Sequence, residues 1–286
     1  MAAAETAVET AIGGRTLRLT SLDKVLYPAT GFTKRQLIAY YVGIADALLP
    51  HIAGRPVTLG RWPSGVDARG FAQMECRGAP EWLRTRPLRL RSGEIRNYCV
   101  IDDAPSLVWA ANQGTIELHT YLGGGADGEQ AVLAVFDLDP RAGAGLLDAA
   151  ELALALRARL AQDELEGFAK TSGGDGIHVF VPLNVTHAFE QARAFCERVA
   201  AELDTRRVAI DCAQNLPRRS LAAPYSLRAA TAPSASAPVR WEELEHAVAA
   251  GRRDQLVFGP GAMLQRVEEL GDVFRPVLEL KQRLPA

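Results

Sequence analysis

The chain has 286 residues, 48% of them hydrophobic, and a formal net charge of −2. That length buries a substantial core, as one large domain or as two lobes sharing a cleft, and the near-neutral balance argues against a protein that coats nucleic acid indiscriminately. No apolar run reaches the roughly 18 residues needed to cross a bilayer, Met1-Ala2-Ala3-Ala4-Glu5 is no secretory signal, and Cys76, Cys99, Cys196 and Cys212 have neither disulfide-scaffold density nor paired zinc spacing. The default is therefore a cytoplasmic protein with no membrane partner.

In chain order, residues 1–15 are small and polar and read as a frayed tail. Thr33 caps a helix from Lys34 to about Leu49, in which Leu37, Tyr40 or Tyr41, Ile44 and Leu48 recur at helical spacing. Val57-Thr58-Leu59 reads as a short strand, 63–70 as a Pro/Gly turn and 95–101 as a strand, before Asp102-Asp103-Ala104-Pro105 opens a helix around 106–114. Gly123-Gly124-Gly125-Ala126-Asp127-Gly128 is the strongest punctuation, and it separates an N-terminal lobe (16–125) from a second lobe (126–228). The second lobe reads as strand 131–138, helix 145–160, strands 165–171 and 177–183, helix 187–203 and strand 207–212. This β-α-β-β-α-β order predicts an α/β (α+β) module, a sheet backed by two helices. Residues 229–239, rich in Ala, Pro and Ser, read as an extended connection to C-terminal helices near 241–250 and 261–270.

The chemistry concentrates in the second lobe. Alternation along a strand places Asp137 and Asp139 on one side, about 7 Å apart in Cα, and Asp211 ends a second buried-strand pattern, Arg207-Val-Ala-Ile-Asp. Each acid taken alone is also an ordinary strand end. Three together, with no obvious Lys partner, need a cation, and carboxylate oxygens suit Mg²⁺ or Mn²⁺. Ser172-Gly173-Gly174-Asp175-Gly176 lacks P-loop and dinucleotide spacing. It reads either as a glycine hairpin or as a turn whose amides and Ser172 hydroxyl face phosphate, with His178 beside it. Asp175 is awkward in the second reading, because an acid repels polyphosphate.

Residues 51–100 carry nine Arg against four acids, and 205–240 six Arg against one. These blocks either line a binding surface or reflect a general use of Arg, of which there are 28 against four Lys. Arg218, Arg219 and Arg228 are candidates to neutralise a triphosphate. Lys24 and Lys34 are either solvated or anion-binding, and Lys34 in a helix's first turn opposes the dipole unless an anion is near. Phe71 and Trp62 are either core or base-stacking residues. Glu117 and His119 form a candidate polar pair for a sugar.

Leu22-Asp-Lys-Val-Leu-Tyr-Pro28, Glu117-Leu-His119, Asp137-Leu-Asp-Pro140, Lys170-Thr-Ser-Gly-Gly-x-Gly-Ile-His-Val179, Asp211 and Ala223-Pro-Tyr-Ser-Leu-Arg228 occur in that order. Over residues 15–270 the chain resembles the polymerase domain of bacterial ligase D, in the archaeo-eukaryotic primase superfamily, without a ligase or nuclease segment, as a stand-alone primase-polymerase domain. The resemblance implies a two-lobed fold with an RNA-recognition-like catalytic module. It also implies two Mn²⁺ or Mg²⁺ ions on Asp137, Asp139 and Asp211, and a triphosphate on Ser172, Gly173, Gly174, His178, Ser226 and Arg228 with His119 near the sugar. DNA contacts through Lys24, Lys34 and Phe71 follow in the same way. The implied partners are NTPs or dNTPs, DNA ends or gaps with a 5′-phosphate, a separate DNA ligase and an end-binding protein, for a monomer acting at the bacterial nucleoid.

Where the family usually has Lys after the Thr-Leu strand, this chain has Gly60. The family's Phe-Phe-Gln-Lys-His is here Phe71-Ala72-Gln73-Met74-Glu75, a Lys or Arg in the loop is Asp175, and a Tyr after the third acid is Cys212. These departures point to altered substrate preference or low activity rather than loss of metal chemistry. The expected reaction is two-metal addition of nucleotides, ribonucleotides preferentially, to a primer end in break or gap repair. The alternatives are a primase that starts without a primer, a non-catalytic module that holds DNA ends for a ligase, and a metal-dependent nuclease.

Overall fold

The computed structural model describes residues 7–90, 92–124 and 128–285. The chain divides into two compact units, each discontinuous in sequence: 1–120 with 225–234 and 259–269, and 121–224 with 235–258 and 270–286. The sequence boundaries at 125 and 228 thus give way to units between which the chain passes repeatedly. No described helix is long and apolar enough to cross a membrane.

The first unit begins with a hairpin, β1 (Ala7–Ile12) and β2 (Arg15–Thr20), whose turn uses Gly13 and Gly14 at φ +52° and +76°. Residues 7–12 of the expected tail are therefore paired; residues 1–6 lie outside the described residues. Strands β3 (Val25–Tyr27) and β4 (Phe32–Thr33) lead to helices α1 (Lys34–Gly43) and α2 (Ala45–Ile52). Thr33 and Gln36 close a capping box at the start of α1. The expected single helix breaks at Ile44.

There follow β5 (Pro56–Arg61), β6 (Phe71–Gln73), β7 (Thr85–Arg89), β8 (Ile95–Val100), α3 (Ala104–Asn112) and β9 (Thr115–Tyr121). Strands β9, β5, β8 and β7 run side by side, and β6 also pairs with β5. Tyr41 ties this sheet to α1: its buried hydroxyl donates to Ile116 O (2.6 Å) and accepts from Leu227 N (3.3 Å).

The second unit contains β10 (Gly123–Gly124), β11 (Gln130–Pro140), α4 (Leu146–Gln162), β12 (Phe168–Thr171), β13 (Ile177–His187), α5 (Phe189–Ala201) and β14 (Val208–Asp211). Short strands β15 (Ser220–Ala222), β16 (Leu227–Arg228), β17 (Ser234–Ala235) and β18 (Pro238–Val239) come later, before helices α6 (Trp241–Ala250), α7 (Pro260–Leu270) and α8 (Pro276–Glu279). The sheet order is β10-β11-β13-β12-β18, with β14 also on β11. Alternation along β11 sends Ala134, Phe136 and Leu138 into a core with α4 and α5, while Val135 joins Phe180 and Phe274 on the other face. Asp137 and Asp139 therefore emerge on the face that α4 and α5 do not cover.

Gly123 and Gly124 of the expected linker pair with β11; Gly125, Ala126 and Asp127 lie outside the described residues. The expected extended connection at 229–239 is no solvated linker at its far end. Ser234 to Val239 are buried, because their small side chains let β18 approach β12 and pair Val239 with Ala169. All four cysteines are joined, Cys76 to Cys99 and Cys196 to Cys212, a correction to the expectation from spacing. Sequence separations of 23 and 16 carry no signal of the proximity that the sheet and α5 create, and cysteine content ceases to argue for a compartment.

Asn215 finishes the sheet where β14 leaves it. Its side chain accepts from Val135 N and donates to Val135 O, both at 2.8 Å, so one buried amide takes the place of a neighbouring strand. Asn215→Leu leaves both Val135 groups unpaired and is expected to cost about 2–6 kcal/mol at about 1–3 kcal/mol per buried unsatisfied group. Urea denaturation checks this, and an unchanged midpoint would contradict the role.

Candidate active site

In the second unit, four adjacent strands set a row of polar side chains across one face of the sheet. Lys170 on β12 is in register with His178 on β13, His178 with Asp137 on β11, and Asp137 with Asp211 on β14. Lys170 is fully buried, and its Nζ lies 2.8 Å from His178 Nδ1. His178 Nε2 in turn lies 3.1 Å from Asp137 Oδ1, and Gln214 Nε2 donates to Asp137 Oδ2 at 3.2 Å. Asp139 stands one pleat further along β11, opposite Ala209.

The three acids feel one another. Burial pushes the Asp139 carboxyl up, and the nearby Asp137 and Asp211 charges push it further. Burial also works against ionisation of Asp137, but His178, Lys170 and Gln214 outweigh it and hold that carboxyl below its ordinary range. The site thus contains one carboxylate fixed in its charged form beside another that resists ionisation, the electrostatic pattern that an added cation relieves.

The donor set fits such a cation. Asp137 Oδ1 is buried, faced at 3.1 Å by His178 Nε2, and carboxylate oxygens suit hard divalent ions. Backbone register brings the expected triad together, yet among the described residues no group of three or more His, Cys, Asp or Glu side chains is placed to hold a metal ion. One reason is visible: Asp211 Oδ1 accepts from Ala213 N at 2.7 Å and caps the 3-10 turn Cys212–Asn215.

The Ser172–Gly176 loop packs beside Asp139. A Cβ on Gly176 would sit 3.2 Å from Asp139 Oδ1 and 3.3 Å from Ser172 Oγ, so glycine permits the approach. The amides of Gly174 and Gly176 both donate to Ser172 Oγ at 3.2 Å. They turn inward, a correction to the expectation that they face an anion. Asp175 is paired with Arg253 (2.8 Å), which offsets the negative charge that made it awkward.

In the first unit Glu117 is a hub. It meets His119 Nε2 at 2.6 Å, accepts from Arg228 Nε at 3.2 Å and from Ala229 N at 2.9 Å, so His119 and Arg228 are brought together around one carboxylate. Ser226 is a correction: it is fully buried, accepts from Leu118 N and donates to Leu227 O, and so serves the backbone.

Lys24 and Lys34 both line a cavity of about 210 Å³ with Thr20, Ser21, Arg61 and Asn112. Lys34 is buried there and donates to Thr20 O at 2.6 Å. Phe71 is half exposed, with the Arg61 guanidinium 5.3 Å from its ring centre. Trp62 packs on Gly70 and beside Gly60, and a Cβ at Gly60 would lie 2.9 Å from Glu117 Cβ. Local packing thus accounts for glycine where the resemblance leads one to expect lysine.

Sequence reasoning missed Lys170, Gln214, Asn215 and Arg253. A lysine between Phe168-Ala169 and Thr171 in an apolar strand was a signal for the first; a 3-10 turn after Asp211 left none for Gln214 or Asn215, and nothing near Arg253 pointed to Asp175.

The family described as "LigD, primase-polymerase domain" matches residues 33–274. The chain is 36% identical over 280 residues to the multifunctional non-homologous end joining protein LigD of Mycolicibacterium smegmatis, covering 91% of this chain and 36% of that protein. It is 38% identical over 252 residues to the LigD DNA repair protein of Mycobacterium tuberculosis, covering 79% and 33%. The chain therefore spans about a third of the length of these relatives. Among solved structures it resembles the polymerase domain of M. tuberculosis ligase D in complex with DNA, with a TM-score of 0.81 and 35% identity over 92% of this chain and 98% of that one. The two-lobed mixed α/β architecture expected from the sequence is thereby established.

The Glu117 hub has a consequence in acid. Burial raises this carboxyl, but His119, Arg228 and the Ala229 amide together hold it below its usual range. A depressed folded-state pKa contributes stability above the unfolded value that is lost as pH falls through the folded one. Glu117→Gln should therefore be less stable than the wild type near neutrality, with a gap that narrows on acidification; thermal melts across the carboxylate range test this, and a pH-independent gap would contradict it.

Proposed function

The chain belongs to the LigD primase-polymerase domain family, and from that footing we propose that it extends a primer strand at DNA ends or gaps, with ribonucleotides preferred. It is a nucleotidyltransferase of the polymerase type, and membership of the family implies metal-dependent catalysis. The observation that supports the finer reading most is the juxtaposition of Asp139 with the Ser172–Gly176 loop, beside Asp137 and its register partner Asp211.

Asp137, Asp139 and Asp211 would hold two divalent ions, Mn²⁺ or Mg²⁺, which when bound supply Lewis-acid activation of a primer 3′-hydroxyl and charge neutralisation for departing pyrophosphate. Asp137 enters as a carboxylate, because His178 and Lys170 already hold it ionised. Ser172 and His178 are assigned to the triphosphate, with hydrogen bonds that offset developing charge. In the first unit, Arg228 and His119 are assigned to phosphate and sugar, and Glu117 orients both. Lys24 and Lys34 suit a 5′-phosphate, and Phe71 suits base stacking. A DNA ligase and an end-binding protein are the partners this role calls for, in the bacterial cytoplasm at the nucleoid.

The cavity holding Lys24 and Lys34 also favours a second reading, a module that holds DNA ends without incorporating nucleotide. Primer extension on a 5′-phosphorylated gap separates the two, with rNTPs against dNTPs, Mn²⁺ against Mg²⁺, and a primer-free arm for dinucleotide synthesis. Extension is expected, and Asp137→Ala with Asp139→Ala should lower it by about 10³-fold or more while gapped-DNA binding stays largely in place. Equal extension by the double variant would refute the assigned roles, and a wild type that binds the gap but never incorporates would establish the second reading.

A further inference from the structure

A fully buried lysine is costly unless its protons are used, and Lys170 has so far been given only its charge on Asp137. Its surroundings define which way its hydrogen bonds run. Ser236 Oγ donates to Thr171 O at 3.0 Å, so that hydroxyl's proton is committed and its oxygen accepts from Lys170 Nζ at 2.6 Å. An ammonium carries three donors and no acceptor. His178 Nδ1, 2.8 Å from the same Nζ, therefore receives a hydrogen bond and carries no proton of its own. The proton of a neutral imidazole then sits on Nε2, the nitrogen 3.1 Å from Asp137 Oδ1. An Nε2 lone pair facing that carboxylate would be repelled; an N–H is attracted.

We propose that Lys170 is a positioning residue that locks His178 in its Nε2–H tautomer and aims that N–H at Asp137 and the nucleotide phosphates. The inference rests on the functional reading above and adds to it a residue, a direction and a chemical state. The side chain that resemblance assigns to phosphate becomes a donor by construction, held from behind by the Lys170 ammonium. The lysine's charge also supports Asp137 as a carboxylate. Ser236 explains why the small-residue segment before β18 is buried against β12: it supplies the second acceptor that Lys170 needs.

Nitrogen-15 NMR of the histidine side chains, with His178→Asn to assign the signal, reads the tautomer in the nucleotide-free protein. The expected wild-type spectrum has an unprotonated Nδ1 and a protonated Nε2 for His178; the opposite assignment overturns the proposal without any further variant. Lys170→Met removes the donor at nearly constant length. It should release the tautomer and raise KM for nucleotide by about tenfold or more, as loss of a supporting partner commonly does, with kcat changed less and circular dichroism unchanged. A variant that folds and keeps both the wild-type tautomer and the wild-type KM also overturns it. Failure of the wild type to incorporate nucleotide would count against the functional reading alone, because the tautomer is measured without substrate.

Discussion

Asp137 and Asp211 face each other across a pair of antiparallel strands, and everything distinctive about the second unit follows from keeping them there. Directly opposed residues lie roughly 5 Å apart in Cα, close enough for like charges to work against each other. With Asp139 one pleat away, a sheet built for stability alone would not place three acids on these positions. The fold tolerates them by compensating one from within: His178 and Lys170 back Asp137 from the strands on its other side. Burial, with the Asp137 and Asp211 charges added to it, pushes the Asp139 carboxyl up.

The surrounding structure is arranged to hold this row rather than to hide it. Asn215 closes the ladder at Val135 immediately after the turn that carries Asp211, and the Asp211 side chain itself caps that turn. Gly176 lets the Ser172 loop come up against Asp139. Ser236 and its small neighbours bring a strand edge close enough to satisfy Lys170. Each of these supports acts through backbone proximity, and each comes from a segment of irregular or small-residue character.

That division explains what could be read from the chain and what could not. The β-α-β-β-α-β order was legible because Ala131 to Leu138 and Ile177 to Leu183 are apolar runs of strand length flanked by helical periodicity. The acids were legible because they end such runs. Ser226 was misassigned because a serine in a Pro-Tyr-Ser-Leu-Arg turn has the same appearance whether its hydroxyl meets a ligand or the amide of Leu118. The Gly174 and Gly176 amides were misread for a similar reason: flexibility permits an anion nest but does not require one, and the Ser172 oxygen claimed both donors first. Register decides such cases, and register depends on partners from 60 or more positions away, as between Lys170 and Ser236.

The departures from the family pattern also acquire physical content. Gly60 is enforced by Trp62 and Glu117, and Asp175 is balanced by Arg253, so neither is simple erosion. The central claim is narrower than any of these details: the carboxylates on β11 and β14 act as one cation site. Calorimetric titration of Mn²⁺ into the nucleotide-free protein, wild type beside Asp211→Asn, tests it most directly. The account predicts saturable binding by the wild type and a marked loss of affinity in the variant, whose backbone cap on Ala213 an amide oxygen can still provide. Equal affinities in the two proteins, or no binding in either, would contradict it.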